Sequence, residues 1–84
     1  MLHNEKELIE EIARGDMAAF STLMKHYSQG VYTLVVRIIG DEFEAEEITQ
    51  DVFMKVYNQL RYFSGRSTFS TWLYRIAYNT AISH

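Results

Sequence analysis

Residues 41–60 read DEFEAEEITQDVFMKVYNQL. Asp41 is a helix-capping residue type, and Glu44 follows it three positions later, the spacing of a capping box. Ala45, Ile48, Val52, Val56 and Leu60 then recur in steps of three and four, so they share one face of a helix. Glu44, Glu47, Gln50, Asp51 and Met54 fall opposite that stripe. One amphipathic helix of this length must bury its apolar face on other helices, and the rest of the chain supplies them.

Upstream, Asp16 is placed to cap a long helix whose stripe is Phe20, Leu23, Met24, Tyr27, Val31, Leu34, Val35 and Ile38. Gly30 sits inside it at a cost of about 1 kcal/mol relative to alanine, which leaves room for a bend. Gly40 closes that helix, and Gly15 closes a shorter one that begins at Asn4, with Glu7 as its capping partner and Leu8, Ile9 and Ile12 as its apolar positions. Downstream, residues 61–68, RYFSGRST, form a polar connection. Ser67 or Thr68 then caps a fourth helix with Phe69, Trp72, Leu73, Ile76 and Thr80 on one face. The expected architecture is all-α, a compact bundle of four helices. The last helical pattern still runs at His84, which suggests a segment of a longer chain.

Composition narrows the function. The chain has 84 residues, no cysteine and no proline. A domain this small buries only about 60% of its unfolded surface, so its stability is marginal. Without cysteine there is neither a disulfide framework nor a thiolate metal site. The absence of proline favours long helices. No apolar run approaches the roughly 20 residues that span a bilayer, and the start Met1-Leu2-His3-Asn4-Glu5 has neither a basic nor an apolar leader segment. A cytoplasmic protein without membrane insertion is the expectation. His3, His26 and His84 show no ligand spacing, no phosphate-binding glycine loop occurs, and no serine sits in a nucleophile elbow. Neither an enzyme nor a cofactor is expected.

The net charge of −3 conceals a division. All eleven acidic residues lie in residues 1–51, whereas residues 52–84 contain four bases, no acid and eight of the twelve aromatic residues. Such a division suits two surfaces with different partners. The acidic face of the third helix fits a basic partner helix, or it is an ordinary solvated face. Met54 among those charges hints at contact, because methionine serves adaptable interfaces. On the fourth helix, at about 100° per residue, Thr71, Tyr74, Arg75 and Tyr78 point away from the apolar face. Trp72, Arg75 and Asn79 stack along one edge. Aromatic rings, arginine and amides on one surface are the chemistry that holds single-stranded nucleic acid. The plain alternative is that some rings cover neighbouring helices, Trp72 above all. In the connection, Phe63, Ser64, Gly65, Arg66, Ser67 and Thr68 offer an aromatic wall and accessible backbone for an unstacked base.

Residues 41–82 closely resemble region 2 of extracytoplasmic-function (ECF) sigma factors. The resemblance rests on Ala45-Glu46-Glu47-Ile48-Thr49-Gln50, on the loop opening at Phe63, and on Trp72-Leu73-Tyr74-Arg75-Ile76-Ala77-Tyr78-Asn79. Asp16, Ala19, Phe20 and Leu23 fit the family's start, so the likeness spans nearly the whole chain. It implies that residues 1–84 form one sigma region 2 domain. It also implies that Glu47, Gln50 and Asp51 dock on the clamp helices of the RNA polymerase β′ subunit. The loop and fourth helix would unpair the minus-ten promoter element and hold flipped non-template bases. Phe63, the 64–68 loop, Trp72, Tyr74 and Asn79 match positions lining that pocket or wedging the strands, with Arg66 and Arg75 on phosphate or base. An anti-sigma factor is a further partner the resemblance implies. The family's second domain, which reads the minus-thirty-five element, has no counterpart in these residues, so the segment alone would be inactive in transcription. Two other readings compete: a helical protein-interaction module without nucleic acid, and a helix-turn-helix reader of duplex DNA, which would need a recognition helix richer in arginine, lysine, asparagine and glutamine.

Overall fold

A computed structural model describes residues 4–84. The reading of Met1, Leu2 and His3 as part of no leader segment therefore lies outside the described residues. The elements are α1 (Glu5–Ala13), α2 (Met17–Ile39), α3 (Glu42–Gln59) and α4 (Phe69–Ile82), with a 3₁₀ turn at Leu60–Tyr62. The expected all-α bundle of four helices is the fold observed.

The helix ends follow local chemistry. Asp16 Oδ1 accepts from the Ala19 amide at 3.1 Å, and Asp41 Oδ1 accepts from the amides of Phe43 and Glu44 at 2.8 and 3.2 Å. Each carboxylate thereby satisfies donors that a helix start leaves free and adds negative charge where the helix dipole is positive. Thr68 is the residue that caps α4, taking the Thr71 amide at 3.1 Å, whereas the Ser67 hydroxyl donates to the Thr68 carbonyl. Gly15 and Gly40 adopt φ of +95° and +81° at the ends of α1 and α2, a conformation that strains any residue with a Cβ.

Asn4 departs from expectation. It occupies the N-cap position of α1, but at φ −104° and ψ 28° its side chain makes no capping bond. A side-chain cap needs the extended backbone that Asp16, Asp41 and Thr68 adopt and Asn4 does not. Instead the Asn4 carbonyl accepts from the Leu8 amide at 2.9 Å.

α2 is the hub, packing against each of the other three helices, while α3 and α4 also pack on each other. Leu23, Val31 and Val35 of α2 are fully buried against Ala45, Ile48, Val52 and Val56 of α3 and Leu73 and Ala77 of α4. Every member of the stripe read from residues 45–60 is buried. The buried hydroxyls of Thr49 and Thr80 donate back to the carbonyls of Ala45 and Ile76, both at 2.7 Å, so burial leaves neither unpaired. α1 supplies Leu8 and Ile12 and packs on α2 and the 3₁₀ turn.

Gly30 does not break α2, which runs on through it as helix. Its role lies across the bundle: a Cβ built there would sit 2.1 Å from Tyr74 Oη and 3.3 Å from Cζ. The missing side chain is a slot for a ring carried by α4. Among the described residues, no helix is long and apolar enough to cross a membrane.

Candidate nucleic-acid and protein interfaces

Two surfaces emerge, on different elements. The first is the outer face of α3. Glu47, Gln50, Asp51 and Met54 are all exposed, Met54 to 64%. Phe43, one turn before Glu47, lies on the same side and is 79% exposed. A phenylalanine left in water at a cost of some 2 kcal/mol relative to burial is a feature that sequence reading passed over. Beside Met54, Met17 and Phe20 of α2 face Phe53 and Tyr57 of α3 across an apolar cleft of about 270 Å³. Phe20 and Tyr57 meet edge to face at 5.1 Å. The acidic face is thus bordered by an apolar strip whose two halves are more than 30 residues apart in sequence, on α2 and α3. Met54 had looked like a single apolar residue among charges, since only tertiary packing brings Met17 and Phe53 beside it.

The second surface is built on the RYFSGRST loop and α4. Phe63 is half-buried, with its ring centroid 5.3 Å from Trp72 and 5.8 Å from Phe69; the Phe69–Trp72 separation is 5.8 Å. The three rings form one platform, anchored by Phe69 in the core and continued inward by Tyr27 at 5.5 Å from Phe69. Trp72 is therefore partly core and partly surface. Gly65 turns the loop with φ +79°, and a Cβ there would point into open space, so conformation rather than crowding calls for glycine there. Ser64, Gly65, Arg66 and Thr68 are exposed, and Ser67 is half-buried. Arg75 and Asn79 are exposed along the edge that Trp72 begins, and Tyr78 is 50% exposed. Tyr62, 75% exposed at the end of the 3₁₀ turn, is another ring that sequence reading left out.

Tyr74 is a correction. Helix phase placed it outward with no core to fill, yet it is half-buried, its hydroxyl over Gly30 and its ring 6.4 Å from Tyr27. α4 packs on both α2 and α3, so its buried arc is wider than one apolar stripe. Tyr74 thus reaches the platform through Tyr27, whose ring packs on Phe69.

The loop has a third neighbour. α1 lies along it, and Glu5, Lys6 and Ile9 share a cleft of about 460 Å³ with Phe63, Gly65 and Phe69. The Tyr27 hydroxyl donates to the Glu5 carboxylate from below. Burial, and then that hydrogen bond, push the Tyr27 phenol well above its ordinary pKa, so it keeps its proton and remains a donor.

Residues 23–84 match the family described as sigma-70 region 2. Over 80 residues the chain is 44% identical to the RNA polymerase sigma-H factor of Pseudomonas aeruginosa, an alignment covering 95% of this chain and 42% of that protein. Over 77 residues it is 39% identical to the ECF RNA polymerase sigma factor SigW of Bacillus subtilis, covering 92% and 41%. Its fold is similar to an NMR structure of an engineered region 2 of sigmaE in complex with GTAAAA, with a TM-score of 0.88, 36% identity, and coverage of 99% of this chain and 88% of that one. The chain spans about two fifths of the length of these curated relatives. The capped four-helix fold, the aromatic platform and these likenesses together place the chain in the sigma-70 region 2 family, as region 2 of an ECF sigma factor.

Proposed function

We propose that residues 1–84 act as one sigma region 2 domain that docks on the β′ clamp helices of RNA polymerase and captures flipped non-template bases of the minus-ten promoter element. The observation that carries this reading is the platform of Phe63, Phe69 and Trp72 beneath an exposed loop, in a fold like that of a sigmaE region 2 solved in complex with GTAAAA. Stacking on an aromatic side chain is worth about 1–3 kcal/mol per base and requires no particular sequence. Phe63 and Trp72 supply the faces, and Ser64, Gly65, Ser67 and Thr68 supply polar groups and close backbone approach. Arg66 and Arg75 meet phosphate or base, while Asn79 and Tyr78 extend the contact along α4. Tyr74 backs the platform indirectly, through Tyr27.

The docking half rests on Glu47, Gln50, Asp51 and Met54, joined by the apolar strip of Met17, Phe53 and Tyr57. A rim of charge around apolar anchors is the anatomy of a specific protein interface. An anti-sigma factor would regulate the domain by covering one of these two surfaces. The cytoplasm, where polymerase works, is the compartment this role requires.

The test is pull-down of the chain by a purified clamp-helix fragment, comparing the native sequence with a Gln50→Ala, Asp51→Ala double variant. Binding that the double variant loses supports docking through α3. Absence of binding by the folded native chain overturns it and leaves a protein-interaction module with another target.

A further inference from the structure

The cleft between α1 and the loop contains groups outside the promoter-contacting set derived above. Its floor is aromatic, from Phe63 and Phe69, and Ile9 and Gly65 line it as well. At about 460 Å³ it falls within the range of small-ligand sites and has room for a nucleobase. Its charged groups are Glu5, Glu10 and Lys6, a formal balance of −1. That balance disfavours a phosphate and suits a neutral base carrying hydrogen-bond donors. Glu5 is the fixed member of the three. It is half-buried, and the Tyr27 hydroxyl from α2 holds one carboxylate oxygen. A carboxylate can accept about four hydrogen bonds, so acceptor capacity remains.

We propose that Glu5 is a base-specificity determinant of this cleft, accepting a hydrogen bond from the exocyclic amine of an unpaired adenine or cytosine and rejecting thymine. This rests on the promoter reading above and deepens it by adding α1 to the DNA-contacting elements. Adenine and cytosine present an amine where thymine presents a carbonyl oxygen, which a carboxylate repels. Tyr27 is a positioning residue: its buried, protonated hydroxyl sets the orientation of Glu5 without touching the base. A recognition group held by a second side chain discriminates more sharply than a free one, because less rotamer entropy is lost on binding.

Fluorescence anisotropy of the intact 84-residue chain tests this, using GTAAAA and hexanucleotides in which each of the last four adenines is replaced in turn by cytosine or thymine. At one position, thymine weakens binding about tenfold relative to adenine or cytosine, the size of one hydrogen bond to a charged group. Glu5→Gln, whose amide both accepts and donates, reduces that preference to less than about threefold. It weakens binding of GTAAAA itself by about fivefold, because a neutral acceptor replaces a charged one. Tyr27→Phe keeps the ring, removes the hydroxyl and weakens the preference in part. Arg75→Ala lowers affinity for every hexanucleotide alike and preserves the preference. Circular dichroism establishes that each variant is folded, and should one of the Glu5 and Tyr27 variants unfold, the other carries the test. A preference that survives in the folded variants overturns the role of Glu5 and leaves the promoter reading standing. A folded native chain that binds none of the hexanucleotides overturns both.

Discussion

Tyr27 shows how much one side chain can connect. Its ring closes the core between Leu23 and Val31, touches Phe69 beneath the platform, and its hydroxyl reaches α1 through Glu5. Because the folded chain holds the phenolic proton more tightly than the unfolded chain, Tyr27 confers a pH dependence of definite sign. Below the ordinary phenol pKa of 10.0 both states are protonated and the contribution is fully present. As pH rises beyond it, the unfolded chain releases its proton first, the native state binds more protons, and stability falls until the folded phenol also titrates. Urea denaturation at about pH 9 and about pH 11 should therefore show a larger drop for the native chain than for Tyr27→Phe. Tyr32, raised by burial and by the nearby Glu42, Glu46 and Asp41, leaves a shallower alkaline decline in the variant. Equal drops in both proteins would remove Tyr27 from this role.

Helices α2 and α4 fit each other through the vacancy at Gly30. In the native chain an added methyl collides with the Tyr74 hydroxyl, so Gly30→Ala should destabilise the bundle despite alanine's better helix propensity. Once the ring is removed by Tyr74→Ala, the collision is gone. The same Gly30→Ala change should then stabilise by about 1 kcal/mol, the intrinsic difference between the two residues in a helix interior. A double-mutant cycle of thermal melts checks the change of sign. A Gly30→Ala effect of the same sign in both backgrounds would mean that the slot has no energetic role. The outward ring of Tyr78 has no such partner, which separates two tyrosines that look equivalent one helical turn apart.

The molecule as a whole keeps its charges apart. The acidic residues lie on α1, α3 and the turns before α2 and α3, whereas the RYFSGRST loop and α4 carry Arg61, Arg66 and Arg75 and no acid. With a net charge of −3, the free chain has little electrostatic attraction for duplex DNA, whose nonspecific affinity comes from neutralised phosphates. Opening the duplex costs on the order of 1.4 kcal/mol per base-pair step, a cost that binding to a single strand does not carry. The isolated chain should therefore bind single-stranded minus-ten oligonucleotide in preference to the matching duplex. Duplex binding at physiological salt should be weaker than micromolar by anisotropy. Submicromolar duplex binding would contradict the view that polymerase holds the DNA while region 2 captures bases. A helix-turn-helix reader would show the opposite preference, and a pure protein-interaction module would bind neither.

Sequence by itself determined the helices, their ends and most of the core. Periodicity and capping are local: Asp41 bonds to amides two and three residues away, and the spacing of Ala45, Ile48, Val52 and Val56 makes one face of α3 apolar wherever α3 packs. Where local backbone overrode residue type, as at Asn4, the same reasoning failed. The separation of acidic and aromatic-basic surfaces was also legible, since it follows chain order. Only the tertiary structure decided what lies between elements. The Gly30 slot, the inward turn of Tyr74, the apolar strip of Met17 and Phe53, and the Glu5–Tyr27 wall beside Phe63 each join residues from two helices or from a helix and a loop. Periodicity states which face of a helix is buried, but which residue of a neighbouring helix it meets depends on packing distances and angles that no local pattern encodes.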